Sequence, residues 1–178
     1  MFYKDFYSKE HLEKIVAEFE VQNTFAIPRI KKIVLNVGAG EAVVNKNVVG
    51  EIAKQLGIIT GQKPVITKAR RSVSAFKIRE GLAIGVKVTL RGKKMVAFLD
   101  KLVHIIIPLL KDFRGIKDTC VDDHGNLNIG FSEQTIFPEI DYDAIDKTRG
   151  LQVTVATDAR SHKKGRKLFE ILGVPFTK

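Results

Sequence analysis

The sequence has one cysteine, Cys120, so no disulfide can form within the chain, and a reducing, cytoplasmic setting is the simplest expectation. No apolar run approaches the roughly 18–20 residues that span a bilayer, so no membrane partner is expected. The stretch from Met1 to Glu20 mixes acids and bases and lacks the basic start, apolar middle and small-residue cleavage site of a signal peptide. His11, His104, His124 and His162 lie far apart, with no Cys or His neighbour at ligand spacing, so no metal is expected. Asp122-Asp-His-Gly-Asn126 lacks the glutamate that closes a calcium loop and reads as a hairpin turn instead. No repeat or low-complexity segment occurs.

What the chain does have is positive charge. Thirty Lys and Arg face twenty Asp and Glu, a balance of +10. Such a balance suits a polyanionic partner. The charge is also unevenly placed. From Asp118 to Asp146 there are eight acids and no Lys or Arg, which leaves the rest of the chain 30 bases to 12 acids. From Gln62 to Lys94 there are ten bases and one acid, Glu80. One stretch is suited to phosphate and another is repelled by it, so two different partners are expected.

Hydrophobic residues make up 44% of the 178, enough for a core, and the length suits one domain over 1–178. Leu12, Ile15, Val16 and Phe19 recur at helical spacing, which predicts an amphipathic helix over about residues 5–20. Ile33, Leu35 and Val37 alternate with Lys32, Val34 and Asn36, the pattern of a strand over 30–37. Gly38-Ala39-Gly40 turns the chain into a second helix, with Val44, Val48, Ile52 and Leu56 on its apolar face and Gly57 as its stop. A strand is expected from Lys63 to Lys68. A clearer one runs from Ile84 to Arg91, with Ile84, Val86, Val88 and Leu90 inward and Lys87, Thr89 and Arg91 outward. Met95, Phe98, Leu99, Leu102, Val103 and Ile106 make the buried stripe of a third helix, on which His104 reads as a packing residue. Strands at 127–131 and 151–157 and a helix at 162–172 complete the chain. Helices and strands do not alternate strictly. The expected class is therefore α+β, a two-layer sandwich with one mostly antiparallel sheet and helices on one face.

Two readings of function follow. Gly38-Ala39-Gly40 stands between a strand and a helix, as in nucleotide-binding enzymes, but Val43 replaces the third glycine and the next strand ends in bases. The tight turn explains these glycines without a cofactor. The other reading is RNA binding. If helices cover the apolar face of the sheet, Lys32, Asn36, Lys87, Thr89 and Arg91 stand on its open face. Amides and hydroxyls among cations match phosphate and 2′-OH groups. These strands are poor in aromatics, so structured RNA read by backbone and shape is expected rather than stacked single strands. The loop over about 69–82 carries Arg70, Arg71, Lys77 and Arg79 around Phe76. It either orders on a partner or forms a solvated hairpin tip.

Six blocks then carry a resemblance. Ile59-Thr-Gly-Gln-Lys-Pro-Val65, Phe76-Lys-Ile-Arg-Glu-Gly81, Val88-Thr-Leu-Arg-Gly92, Asp112-Phe-Arg-Gly115, Glu133-Gln-Thr-Ile-Phe-Pro-Glu-Ile-Asp-Tyr-Asp143 and Leu172-Gly-Val-Pro-Phe176 run in order along the chain. Together they resemble the bacterial family of large-subunit ribosomal protein five. The resemblance implies a five-stranded sheet backed by helices, no enzymatic activity, no cofactor, and a place in the cytoplasmic ribosome among other large-subunit proteins and rRNA. It implies a 5S rRNA grip through Asn36, Gln62, Thr89 and Arg91, to which the neighbouring Lys32, Lys63 and Lys87 add charge. The family's basic loop implies contact with P-site tRNA through Arg70, Arg71, Ser74, Phe76, Lys77, Arg79 and Gly81. Its Ile-Phe-Pro-Glu segment implies a bridge to a small-subunit head protein, for which Glu139, Asp141 and Asp143 are the candidates. Ser161 to Lys167 departs from the resemblance in being basic: it either meets further rRNA or is a surface change without consequence.

Overall fold

The computed structural model describes residues 19, 26–110, 115–140 and 146–177. The helix expected over 5–20 and most of the 112–115 block lie outside the described residues, although Phe19 is helical and buried.

β1 spans Ile30–Gly38. Ile33, Leu35 and Val37 are buried and Asn36 is exposed, as the alternation predicts. A short 3-10 turn over Gly40–Val43 follows, then helix α1 over Asn47–Thr60. Two expectations fail here. Val44 is 93% exposed, because the helix has not yet begun; Val49 and Ile59 join Val48, Ile52 and Leu56 in the buried set. Gly57 does not end the helix. Gly61 does, at φ 60°, a left-handed conformation that glycine adopts without steric cost, with its N–H donating to the Gly57 carbonyl at 2.9 Å.

β2, Val65–Lys68, is shorter than expected and pairs antiparallel with β3, Ala83–Leu90. Val65 faces Lys87, Ile66 faces Val86 and Thr67 faces Gly85. The space at Gly85 is tight: a Cβ there would lie 2.8 Å from the Thr67 hydroxyl and 3.1 Å from the Val37 carbonyl oxygen. α2 runs over Gly92–Lys101 and continues through a π-helical turn, Leu102–Ile106, and a final α turn, Ile107–Leu109. All six residues of its predicted stripe are buried. His104 is a correction: it is exposed, with Nδ1 3.1 Å from the Asp100 carbonyl oxygen rather than packed. The widened turn stands just before Pro108, which has no N–H for the carbonyl of the preceding turn.

β4, Leu127–Phe131, and β5, Leu151–Thr157, occupy the expected residues, and α3 spans His162–Ile171. Residues 122–126 form the predicted turn. Asp122 accepts from the backbone N–H of His124 at 3.0 Å and of Asn126 at 2.7 Å, and from the Asn126 amide at 2.7 Å. Burial alone would raise this carboxyl's pKa, but those hydrogen bonds outweigh it and hold it below the ordinary value.

The strands form a five-stranded antiparallel sheet in the order β2-β3-β1-β5-β4, and with the helices make a two-layer α+β sandwich. The chain divides into two compact units. One comprises residues 1–33, 91–129 and 154–178, with Leu102, Ile106, Ile107 and Phe169 fully buried. The other comprises 34–90 and 130–153, with Leu35, Ile52, Leu56, Leu90 and Phe137 fully buried.

In the second unit two polar residues are buried, Gln134 and Arg149. The Gln134 amide donates to the Lys147 carbonyl at 2.8 Å and its oxygen accepts the Arg149 backbone N–H. One side chain thus satisfies a carbonyl and the buried Arg149 N–H of the segment before β5. Gln134→Met is expected to cost about 1–3 kcal/mol, since a side chain of similar length without the amide leaves the buried Arg149 N–H without its acceptor. A urea midpoint equal to wild type would show that this clamp does not matter.

Candidate nucleic-acid interface

The residues predicted to grip RNA come from both units. In the second unit, β1 leaves Asn36 exposed and β3 leaves Lys87 exposed and Thr89 half-buried. Strand alternation sets these outward while Leu35, Val37, Val86 and Val88 go to the core. The register adds two residues that sequence reasoning missed. Val65 pairs with Lys87 and Thr67 with Gly85, so both share the face of Lys87. Val65 is 58% exposed, an apolar patch beside a cation. The hydrophobic alternation of a four-residue edge strand is too short to show this.

Gln62 and Lys63 follow the end of α1. Lys63 is exposed. Gln62 is half-buried, and its amide donates to the Thr89 carbonyl at 3.1 Å. Gln62 therefore ties the 61–64 turn to β3, and its amide NH2 is engaged within the protein. In the first unit, Lys32 is half-buried and Arg91 exposed. Arg91 has extended backbone angles at the N-cap of α2, and its guanidinium reaches the Lys31 carbonyl oxygen at 3.4 Å. Lys31 itself is paired with Asp158 at 3.0 Å.

The basic loop is a folded hairpin tip. Its base is closed by the Ala69 N–H donating to Leu82 at 2.8 Å and the Gly81 N–H donating to Ala69 at 2.9 Å. Val73 and Ile78 bridge across it, and Ser74–Phe76 make a 3-10 turn. The Ser72 hydroxyl accepts the Glu80 N–H at 3.0 Å. Arg70, Arg71, Ser74, Lys77, Arg79 and Gly81 are all exposed, and Phe76 is 71% exposed. The loop needs no partner for its hydrogen bonds, and it presents cations around an uncovered ring.

The acidic stretch is not one surface. In the first unit Asp118 pairs with Arg166 at 3.1 Å and Asp122 holds its turn. In the second unit Glu139 and Asp146 are exposed, and with Glu51, Lys54, Gln55, Ile58 and Ile140 they line a groove of about 370 Å³. One Glu51 carboxylate oxygen is buried there without a hydrogen-bond partner among the described residues. Asp141 and Asp143 lie outside the described residues.

The tight turn does not itself require Gly38 or Gly40: a Cβ at either would meet no protein atom within 4 Å, and neither has a positive φ. The turn leads to Glu41, a carboxylate whose pKa is lowered chiefly by the hydrogen bond from Lys147, and a carboxylate repels a phosphate.

Two family models match the chain. The one described as ribosomal protein L5 covers residues 23–79, and the one for the C-terminus of that ribosomal family covers 83–176. The large ribosomal subunit protein uL5 of Syntrophomonas wolfei is 47% identical over 170 residues, 96% of both chains. The proteins of the same name from Trichlorobacter lovleyi and Carboxydothermus hydrogenoformans are 46% and 45% identical, over 97% and 98% of both chains.

Proposed function

The chain belongs to the ribosomal protein L5 family, and from that premise we propose that it holds 5S rRNA on the open face of its sheet. As a member it is a structural constituent of the large ribosomal subunit, not an enzyme, and its partners are rRNA and other large-subunit proteins. Its bacterial relatives are components of the cytoplasmic large subunit.

The observation that carries the 5S reading is the outward set Asn36, Lys87 and Thr89 on two neighbouring strands, with no carboxylate on those strands. Cations neutralise phosphates while the amide and hydroxyl match ribose and phosphate oxygens. Three further cations are Lys32, on the first-unit part of β1, Lys63, three residues after α1, and Arg91, the residue after β3. A gel-shift titration with purified 5S rRNA tests the reading. A saturable complex that weakens as salt rises is expected, because each phosphate contact releases counterions. No complex at low salt would reject it.

The hairpin tip supports a second contact, with P-site tRNA. Arg70, Arg71, Lys77 and Arg79 suit phosphates, and exposed Phe76 suits a sugar or base. Deleting residues 73–78 is expected to leave 5S binding within about twofold of wild type and to weaken tRNA retention on assembled ribosomes about tenfold or more. Normal retention in the deletion would remove the loop from this role.

The groove of Glu51, Glu139 and Asp146 supports a third, a basic protein of the small-subunit head. Its carboxylates outnumber its one cation, Lys54, and Ile58 and Ile140 offer apolar contact beside them. Changing Glu139, Asp141 and Asp143 to Lys is expected to leave 5S binding intact or slightly stronger and to slow subunit joining, since such charges chiefly govern association rate. Collapse of 5S binding with normal joining would assign this surface to RNA instead.

A further inference from the structure

We propose that the first unit carries a second RNA-backbone site, a recess beside Arg160 and Lys164 that takes an rRNA phosphodiester. The recess measures about 380 Å³. Its lining includes Ile27, Pro28, Asp158, Arg160, Ser161 and Lys164. None of these residues belongs to the open face of the sheet.

Charge balance inside the recess points to an anion. Among the described residues its one carboxylate is Asp158, which is already occupied: one oxygen accepts the Arg29 backbone N–H and the other pairs with Lys31 at 3.0 Å. It is therefore not available to neutralise Arg160 or Lys164, and neither of them makes an ion pair among the described residues. Arg166, two residues beyond Lys164, behaves differently, being held by Asp118 at 3.1 Å and Glu170 at 2.9 Å. So α3 uses one of its cations to bind the protein to itself, while Lys164 remains at the recess. Two cations set in a concavity focus their field on whatever enters it. The Ser161 hydroxyl adds a donor. No aromatic ring among the described residues lines the recess. The choice of RNA over another polyanion rests on the chain's membership of the large subunit.

The phosphodiester belongs either to 5S rRNA or to the long rRNA of the subunit, and two titrations separate these sources. The full chain with Arg160→Gly and Lys164→Ala is titrated against purified 5S rRNA and against protein-free large-subunit rRNA lacking 5S. Glycine is the right replacement at 160 because Arg160 has φ 54°, which glycine adopts without strain. The thermal midpoint is expected to stay at the wild-type value. On one of the two RNAs the log–log salt slope is expected to fall by about 0.7–0.9, and the affinity by about tenfold; that arm identifies the source. Lys164→Arg, with Arg160 intact, is expected to keep the wild-type slope. Unchanged slope and affinity on both RNAs overturns the proposal, and so does a lost slope in Lys164→Arg. A parallel Lys87→Ala, Arg91→Ala variant reads the sheet face alone. 5S binding lost there, with slope and affinity unchanged on both RNAs in the recess variant, leaves the sheet reading standing and this one fallen; 5S binding kept there, with a loss on either RNA in the recess variant, does the opposite.

Discussion

Gly165→Ala is expected to destabilise the fold by about 3 kcal/mol or more, the range of a core overpacking that side chains cannot relieve. A Cβ at 165 would lie 2.4 Å from the Gly125 Cα and 2.6 Å from the Gly125 carbonyl oxygen. Both obstacles are backbone atoms, and neither can give way easily. Gly125 is held at φ 81° in a turn fixed by Asp122, and its carbonyl accepts the Thr157 hydroxyl at 2.7 Å. The remaining course is for α3 to lift from the turn, which uncovers Leu168 and Phe169, both fully buried. For a chain of this size the loss corresponds to a thermal midpoint lower by roughly 6–12 °C. Gly130→Ala is the control: that glycine is exposed in β4, and nothing lies within 4 Å of the place its new methyl group would take. A wild-type midpoint in Gly165→Ala would mean that α3 and the turn do not meet as described.

Replacing Lys87 and Arg91 together by alanine is expected to weaken 5S rRNA binding about a hundredfold at physiological salt. A hydrogen bond to a charged group contributes about 1.5–3 kcal/mol, so two at the low end give that factor. Losing two phosphate contacts is also expected to reduce the log–log salt slope by about 1.4–1.8. The fold is expected to survive, because both side chains are exposed. Asn36→Ala and Thr89→Ala are expected to cost less, as neutral hydrogen bonds do. Gln62→Ala is a different case. Its amide holds the turn after α1 to the Thr89 carbonyl, so a loss of affinity there mixes RNA contact with local structure. Wild-type affinity and slope in the double variant would show that this face does not meet the RNA.

Much of this architecture was legible before any coordinates. Period-two alternation in β1 and β3 placed Ile33, Leu35, Val37, Val86, Val88 and Leu90 in the core, and all six are buried. Helical periodicity did the same for the stripe of α2, and the bounds of β4 and β5 came out as expected. These features depend on neighbours one to four residues away, and the spacing of apolar side chains records that geometry directly. The outward positions of Asn36 and Lys87 follow from the same alternation, whereas Arg91, expected on the same strand, stands just past its end at the N-cap of α2. What only the tertiary structure decided are the pairings between residues remote in sequence. Gln62 is tied to a carbonyl 27 residues on, Gln134 clamps a segment 13 to 15 residues away, and Asp118, counted among the acids of a partner-facing stretch, is paired with Arg166. Composition shows that such donors and acceptors exist but not which of them the fold brings within about 3 Å, the reach of a hydrogen bond. The ends of α1 obey the same limit. Gly57 and Gly61 are equally permissive residues, and the choice between them fell to the 3D packing around the helix, which holds Gly57 in the helix and leaves Gly61 to take the left-handed conformation that stops it.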